Sequence, residues 1–142
     1  MRVLFVCTGN TCRSPMAQAL AQRLAEKKGI SLSCDSAGLA VFSPSPMAEH
    51  ARLILEERGI SDFSHQAQKV SAALLSRFDL AIGMTPDHAL LLTQRFAPAC
   101  PVCSMPIPVG DPFGQSAQRY RQTADAIEQG LNRLFAEGIL HE

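Results

Sequence analysis

The sequence carries no net charge: its 13 lysines and arginines are matched by 13 aspartates and glutamates, interspersed along the chain, and the isoelectric point lies near 6.9. That balance gives no electrostatic reason to expect nucleic acid or an anionic membrane as a partner, since both recruit a basic surplus. Long hydrophobic runs are missing as well. The strongly apolar segment near the start, Val3-Leu4-Phe5-Val6, is short, far below the ~18 residues needed to cross a bilayer, and it lacks the hydrophobic region of a secretory leader. No membrane association is therefore expected, and a cytoplasmic location is. The 4 histidines have no metal-ligand spacing, so no metal is expected. With no repeats, low-complexity stretches or linkers, residues 1–142 are expected to form a single domain around one core, burying roughly 68–70% of the unfolded surface. The 5 cysteines, without a secretory signal, are expected to be mostly reduced, and their odd number leaves at least one unpaired.

What the sequence does carry is a dense string near its start, Cys7-Thr8-Gly9-Asn10-Thr11-Cys12-Arg13-Ser14-Pro15. The apolar run before it reads as a buried strand, and Met16, Leu20 and Leu24 after it recur at helical spacing. A strand, a tight loop and a helix in that order make a cradle for an anion. Gly9 and Asn10 both tolerate left-handed backbone, which lets successive amides turn inward around one oxyanion. Ser14 and Pro15 are expected as N-cap and first helical residue, setting the positive end of the helix dipole beneath the same spot. A helix N-terminus and a neighbouring cation lower a thiol pKa from about 8.5 to roughly 3.5–7.5, so Cys7 is expected to be ionised at neutral pH. Arg13 offers a planar fork of donors to two oxygens of a tetrahedral anion. Nucleophile, clamp and oriented amides together imply nucleophilic attack on a bound oxyanion.

Along the chain, strands are expected at residues 2–6, 32–37, 79–84 and, weakened by its prolines, 101–107. Helices are expected at 15–28 with Gly29 as a left-handed cap, from Ser45-Pro46 to Gly59, at 71–77, from Thr85-Pro86 to about 95, and at 116–137 before Gly138. Cys34 reads as core, and His65 as a residue that fixes its loop by hydrogen bonds. Alternation of strands and helices predicts an α/β fold, a parallel sheet with helices on both faces. Ligands of such sheets bind beyond the strand C-termini, the end at which the Cys7 loop leaves the first strand. The loop after the fourth strand emerges at the same edge and carries Asp111 between Gly110 and Pro112. Expelling a poor leaving group from phosphorus requires a proton donor, and Asp111 is the candidate; a turn or N-cap role is the alternative.

The Cys-x5-Arg-Ser string, with Asp111-Pro112-Phe113 far downstream and Ser36-Ala37-Gly38 after the second strand, resembles the low-molecular-weight cysteine phosphatases over essentially the whole chain. That resemblance implies a three-layer fold with four strands in the order 2-1-3-4 and a metal-free reaction without cofactors. It implies Cys7 as the nucleophile that becomes phosphocysteine, with Arg13 and the loop residues Thr8, Gly9, Asn10, Thr11 and Cys12 around the phosphoryl oxygens. Asp111 would be the general acid and then the base. Ser14 would donate its hydroxyl to the Cys7 sulfur, and Asn10 would brace the loop. Cys12 would be the redox partner of Cys7, with a small buried filler as the alternative. The implied partner is a phosphorylated protein, with inorganic phosphate as product and inhibitor, and a monomer is expected.

Family members acting on phosphotyrosine commonly follow Asp-Pro with two aromatics and carry a bulky aliphatic inside the loop. Here Gly114 follows Phe113, and Thr11 precedes Cys12, which removes part of a ring contact worth roughly 0.5–1.5 kcal/mol. The string from Cys7 to Ala17, with Asp-Pro-Phe-Gly ahead of Tyr120-Arg-Gln-Thr, is similar to the bacterial branch that dephosphorylates phosphoarginine on proteins. Phosphoarginine is favoured and phosphotyrosine is the alternative. Phe113 and Phe42 are expected on the substrate rim, loop packing being the other reading of Phe42. Arsenate reduction is a remote third. Cys100 and Cys103 form a Cys-x2-Cys, but no cysteine follows the third strand, where a thiol relay needs one, Pro15 departs from the reductase loop, and no matching pair of ligands completes a zinc site.

Overall fold

The computed structural model describes all of residues 1–142. Four strands, β1 (Arg2–Cys7), β2 (Ser33–Gly38), β3 (Leu80–Gly83) and β4 (Val102–Ser104), alternate with α1 (Arg13–Lys28), α2 (Glu49–Glu57), α3 (Ala72–Leu75), α4 (Pro86–Phe96) and α5 (Ala117–Ala136). The strands form one parallel sheet in the order β2-β1-β3-β4, as the resemblance implied. β1 lies inside the sheet, and its run of apolar residues is buried on both faces.

Side-chain alternation along β1 sorts the core into two layers. Val3, Phe5 and Cys7 point into the larger cluster, with Met16 and Leu20 of α1, Ile54 and Leu55 of α2, and Tyr120, Ile127 and Leu131 of α5. Leu4 and Val6 point the other way, toward Leu74 and Leu75 of α3 and Leu92 of α4. Because Cys7 falls on the α1 side, its sulfur comes to lie over the start of that helix. β2 is an edge strand, and α1 covers part of its open backbone: Gln22 Nε2 donates to Leu32 O at 2.8 Å, and Gln22 Oε1 accepts from Cys34 N at 3.3 Å. β4, the other edge, is only three residues long, since Pro101 and Pro106 flank it and cannot donate to a ladder.

Two helix starts differ from expectation. α1 opens at Arg13, with Cys12 in the N-cap position and no side-chain cap, so Ser14 lies inside the first turn. α2 opens at Glu49 after Ala48, again uncapped, and Ser45-Pro46 stays in the preceding loop. Thr85-Pro86 does open α4 as expected, its hydroxyl accepting from the His88 amide at 3.3 Å.

Candidate active site

At the C-terminal end of β1 the chain enters an open cleft of about 440 Å³ lined by Cys7, Thr8, Gly9, Asn10, Thr11, Cys12, Arg13, Ser45, Asp111 and Phe113. The loop turns through Asn10, which has φ of 57°. Gly9, expected to share that role, does not have positive φ; a Cβ there would meet only Thr11 Oγ1, at 3.9 Å. A left-handed non-glycine residue costs strain, and Asn10 offsets it with hydrogen bonds from nearly every polar atom. Its Nδ2 donates to Ser14 Oγ at 2.8 Å and Ser36 Oγ at 3.0 Å, its Oδ1 accepts from Gln68 N at 3.0 Å, and its carbonyl faces His65 Nε2 at 2.7 Å. A carbonyl only accepts, so the His65 ring carries its proton on Nε2. Ser36 Oγ in turn donates to Gln18 Oε1 at 2.7 Å. No buried side-chain nitrogen or oxygen lacks a partner.

This bracing converges on the Cys7 sulfur. The Asn10 amide donates to Cys7 Sγ at 3.3 Å, and Ser14 Oγ lies 2.9 Å from it. Since Ser14 Oγ already accepts from Asn10, its own proton is free for the sulfur. Two donors thus face Sγ, an arrangement that stabilises a thiolate as nucleophile and as leaving group. The start of α1, beside the cleft, has no side-chain cap, so its N-terminal end is open to an anion.

Arg13, only 7% exposed, ties this loop to the one carrying the carboxylate: Nη1 donates to Val109 O at 3.3 Å and Nη2 lies 3.8 Å from Asp111 Oδ2. Asp111 Oδ1 accepts from the Phe113 amide at 3.1 Å, and its carbonyl accepts from Gln115 Nε2 at 3.0 Å, so a local turn sets the loop's shape. β2 closes the opposite side. Leu39 and Ala40 amides donate to Cys7 O and Thr8 O, Ala48 N donates to Thr11 O, and a Cβ on Gly38 would stand 2.6 Å from Thr8 O.

Of the expected loop residues, Thr8 to Cys12 line this cleft with Cys7, Arg13, Asp111 and Phe113, while Ser14 lies buried beneath it against the Cys7 sulfur. Phe113 stands 69% exposed; Phe42 is 97% exposed and lies outside the cleft lining, so it neither lines the cleft nor packs within its loop. Cys100 packs on the α4 side of the sheet and Cys103 on the α1 side, so the two thiols do not converge. Four residues had gone unassigned to the site: Ser45, Tyr120, His88 and Gln68. Tyr120 lies among the buried residues of α5, yet its hydroxyl meets Cys12 Sγ at 3.3 Å; one polar tip on an otherwise apolar helix face is the signal the sequence offers. Burial raises the pKa of both groups, and for Tyr120 the thiol contact adds to it.

A thiol faced by donors at the foot of a helix, an arginine over the same cavity and a carboxylate across it define an α/β enzyme of nucleophilic phosphoryl transfer. The family model of the low molecular weight phosphotyrosine protein phosphatases matches residues 2–141, and the chain belongs to that family; it is a phosphatase. The chain is 34% identical over 142 residues to the protein-arginine-phosphatase of Bacillus subtilis (strain 168), with 94% of each covered. A crystal structure of a YwlE mutant from Bacillus subtilis superposes with a TM-score of 0.90 at 32% identity, covering 99% of both chains. A YwlE arginine phosphatase mutant with a phosphorylated active-site serine gives 0.86 at 33% identity, over 96% of this chain and 95% of that one.

Proposed function

We propose that the chain removes phosphate from phosphoarginine residues of proteins through a phosphocysteine on Cys7. The Cys7 thiolate attacks phosphorus in line while the phosphorus–nitrogen bond breaks. Asp111 gives its proton to the leaving guanidino nitrogen, and Arg13 and the loop amides hold the equatorial oxygens. Asp111, now a carboxylate, takes a proton from a water whose oxygen attacks phosphorus; the sulfur leaves and inorganic phosphate is released. Phosphate then competes with substrate for the loop, and the expected setting is a cytoplasmic monomer. Cys12 serves as the redox partner of Cys7.

The observation that carries the reading is the pair of donors on Cys7 Sγ beside an Arg13 that reaches Asp111. The arginine preference is supported by the wall of the cleft, where Thr11 offers a hydroxyl and Phe113 is followed by glycine, and by the named activity of the Bacillus subtilis relative. Phosphotyrosine is the second reading, favoured by the one aromatic, Phe113, that does line the cleft. Turnover of phosphoarginine and phosphotyrosine peptides by variants decides between them. Cys7→Ser is expected to turn over neither, and Asp111→Asn to lose roughly 10²–10⁴-fold. Thr11→Ile is expected to gain on tyrosine and lose on arginine. A Thr11→Ile enzyme with an unchanged ratio removes this residue's support for the arginine reading, and an active Cys7→Ser removes the mechanism.

A further inference from the structure

Thr8, the residue after the nucleophile, is exposed in the cleft, and its hydroxyl has one protein partner, His88 Nε2 at 3.0 Å. His88 sits in the first turn of α4 and is only 5% exposed. It is brought under the loop because Gly83, at the end of β3, lets α4 approach so closely that a Cβ there would stand 2.5 Å from Ala89 N. The other ring nitrogen, Nδ1, lies 2.9 Å from Thr85 Oγ1, which also accepts the His88 backbone N–H.

These contacts suit one direction for each hydrogen bond. Thr85 Oγ1 accepts the capping amide, and Nδ1 is the one acceptor the protein offers to its proton, the arrangement in which Thr85 donates to Nδ1. Burial, reinforced by the positive charge of Arg13, pushes the His88 pKa down to about 4, so the ring is neutral and has a single proton. With Nδ1 accepting, that proton is on Nε2, and Nε2 donates to Thr8 Oγ1. The Thr8 hydroxyl proton is then left over, on a residue that lines the cleft.

We propose that His88 is a positioning residue of the phosphatase reaction: by donating to Thr8 Oγ1 it directs the Thr8 hydroxyl proton toward an oxygen of the bound phosphoryl group. The inference rests on the phosphatase chemistry and is indifferent to the leaving group. Phosphoarginine and aryl phosphate therefore suffer alike, whereas failure of the arginine reading would appear as a change in their ratio.

The test combines a double-mutant cycle with a direct reading of the ring. Thr8→Val and His88→Ala are each expected to weaken competitive inhibition by inorganic phosphate and to lower kcat by roughly three- to tenfold, the size of one neutral hydrogen bond. The double variant should lose no more than either single one, since His88 acts through Thr8. His88→Gln, whose amide N–H reaches the same hydroxyl, should recover most of the loss. In 15N-labelled wild-type protein the ring nitrogens should report the Nε2–H tautomer, a measurement that needs no variant to fold. An Nδ1–H tautomer, an unaffected Thr8→Val, or losses that multiply in the double variant would each overturn the proposal.

Discussion

Tyr120 is 2% exposed and sends its hydroxyl to Cys12, the second sulfur of the anion loop. Burial raises the Cys12 pKa, while the hydrogen bond from Tyr120 works against that rise by supporting the thiolate. A sulfenic acid on Cys7 would be resolved by attack of the Cys12 thiolate, so the phenol favours the reversible outcome. Tyr120→Phe is therefore expected to slow formation of the Cys7–Cys12 disulfide under peroxide by roughly two- to tenfold. More activity should then be lost irreversibly, measured as the fraction that a dithiol restores and by peptide mass. Equal recovery in the two proteins would separate Tyr120 from the redox chemistry. Most of the residues that surround the sulfur were legible from the order Cys-x5-Arg-Ser alone. Their support was not, because His65, Gln68 and His88 reach the loop from 55 to 80 residues away, and pairing at that range leaves no local pattern.

Among the elements, the meeting of β2 with the anion loop has the least room. Gly38 pairs with Cys7 across the sheet, and a Cβ on it would press on Thr8 O and Val41 at 2.6 Å and Asn10 Cβ at 3.1 Å. Its neighbours on two sides are backbone or braced side chain, so the loop has to move. Gly38→Ala is expected to fold and to lose at least tenfold in kcat/KM, because misplacement by an ångström carries a cost of that order or more; wild-type turnover with an unshifted loop would contradict it. The same crowding explains why one dipeptide pattern gave two outcomes. Thr85-Pro86 caps α4, since its hydroxyl is free to meet His88 N. Ser45-Pro46 does not cap α2, since Ser45 O is engaged by Ala67 N and the following Ala48 N by Thr11 O. Those tertiary backbone bonds keep the segment outside the helix, and propensity yields to them. The alternation of apolar strands and striped helices was readable because burial on both faces of the sheet imposes it on composition.

For the molecule as a whole, the two histidines that brace the loop make its stability sensitive to acid. Burial lowers the pKa of both His65 and His88, the latter to about 4 against an ordinary 6.5. Below pH 6.5 the unfolded chain takes up a proton at His88 that the folded chain refuses until about pH 4, so stability falls across that window. The charges that bear on the ring are Arg13, which opposes its protonation, and Asp87 and Asp111, which favour it. The Tm is expected to drop by on the order of several degrees between pH 6.5 and 4.5, and His88→Asn, which does not titrate, should flatten the slope in differential scanning calorimetry. A variant with the wild-type slope would place the acid sensitivity elsewhere.

The bare first turn of α1 has a consequence for how this enzyme lives between turnovers. A helix that begins without a side chain to close it leaves its first amides to water or to a captured anion, so a phosphate bound there would be part of the fold as much as cargo. Whatever occupies the pocket stabilises the native chain by mass action, by about 2.7 kcal/mol at a hundred times its dissociation constant. On the proposed cycle, product held there would protect the protein even as it blocked the next round.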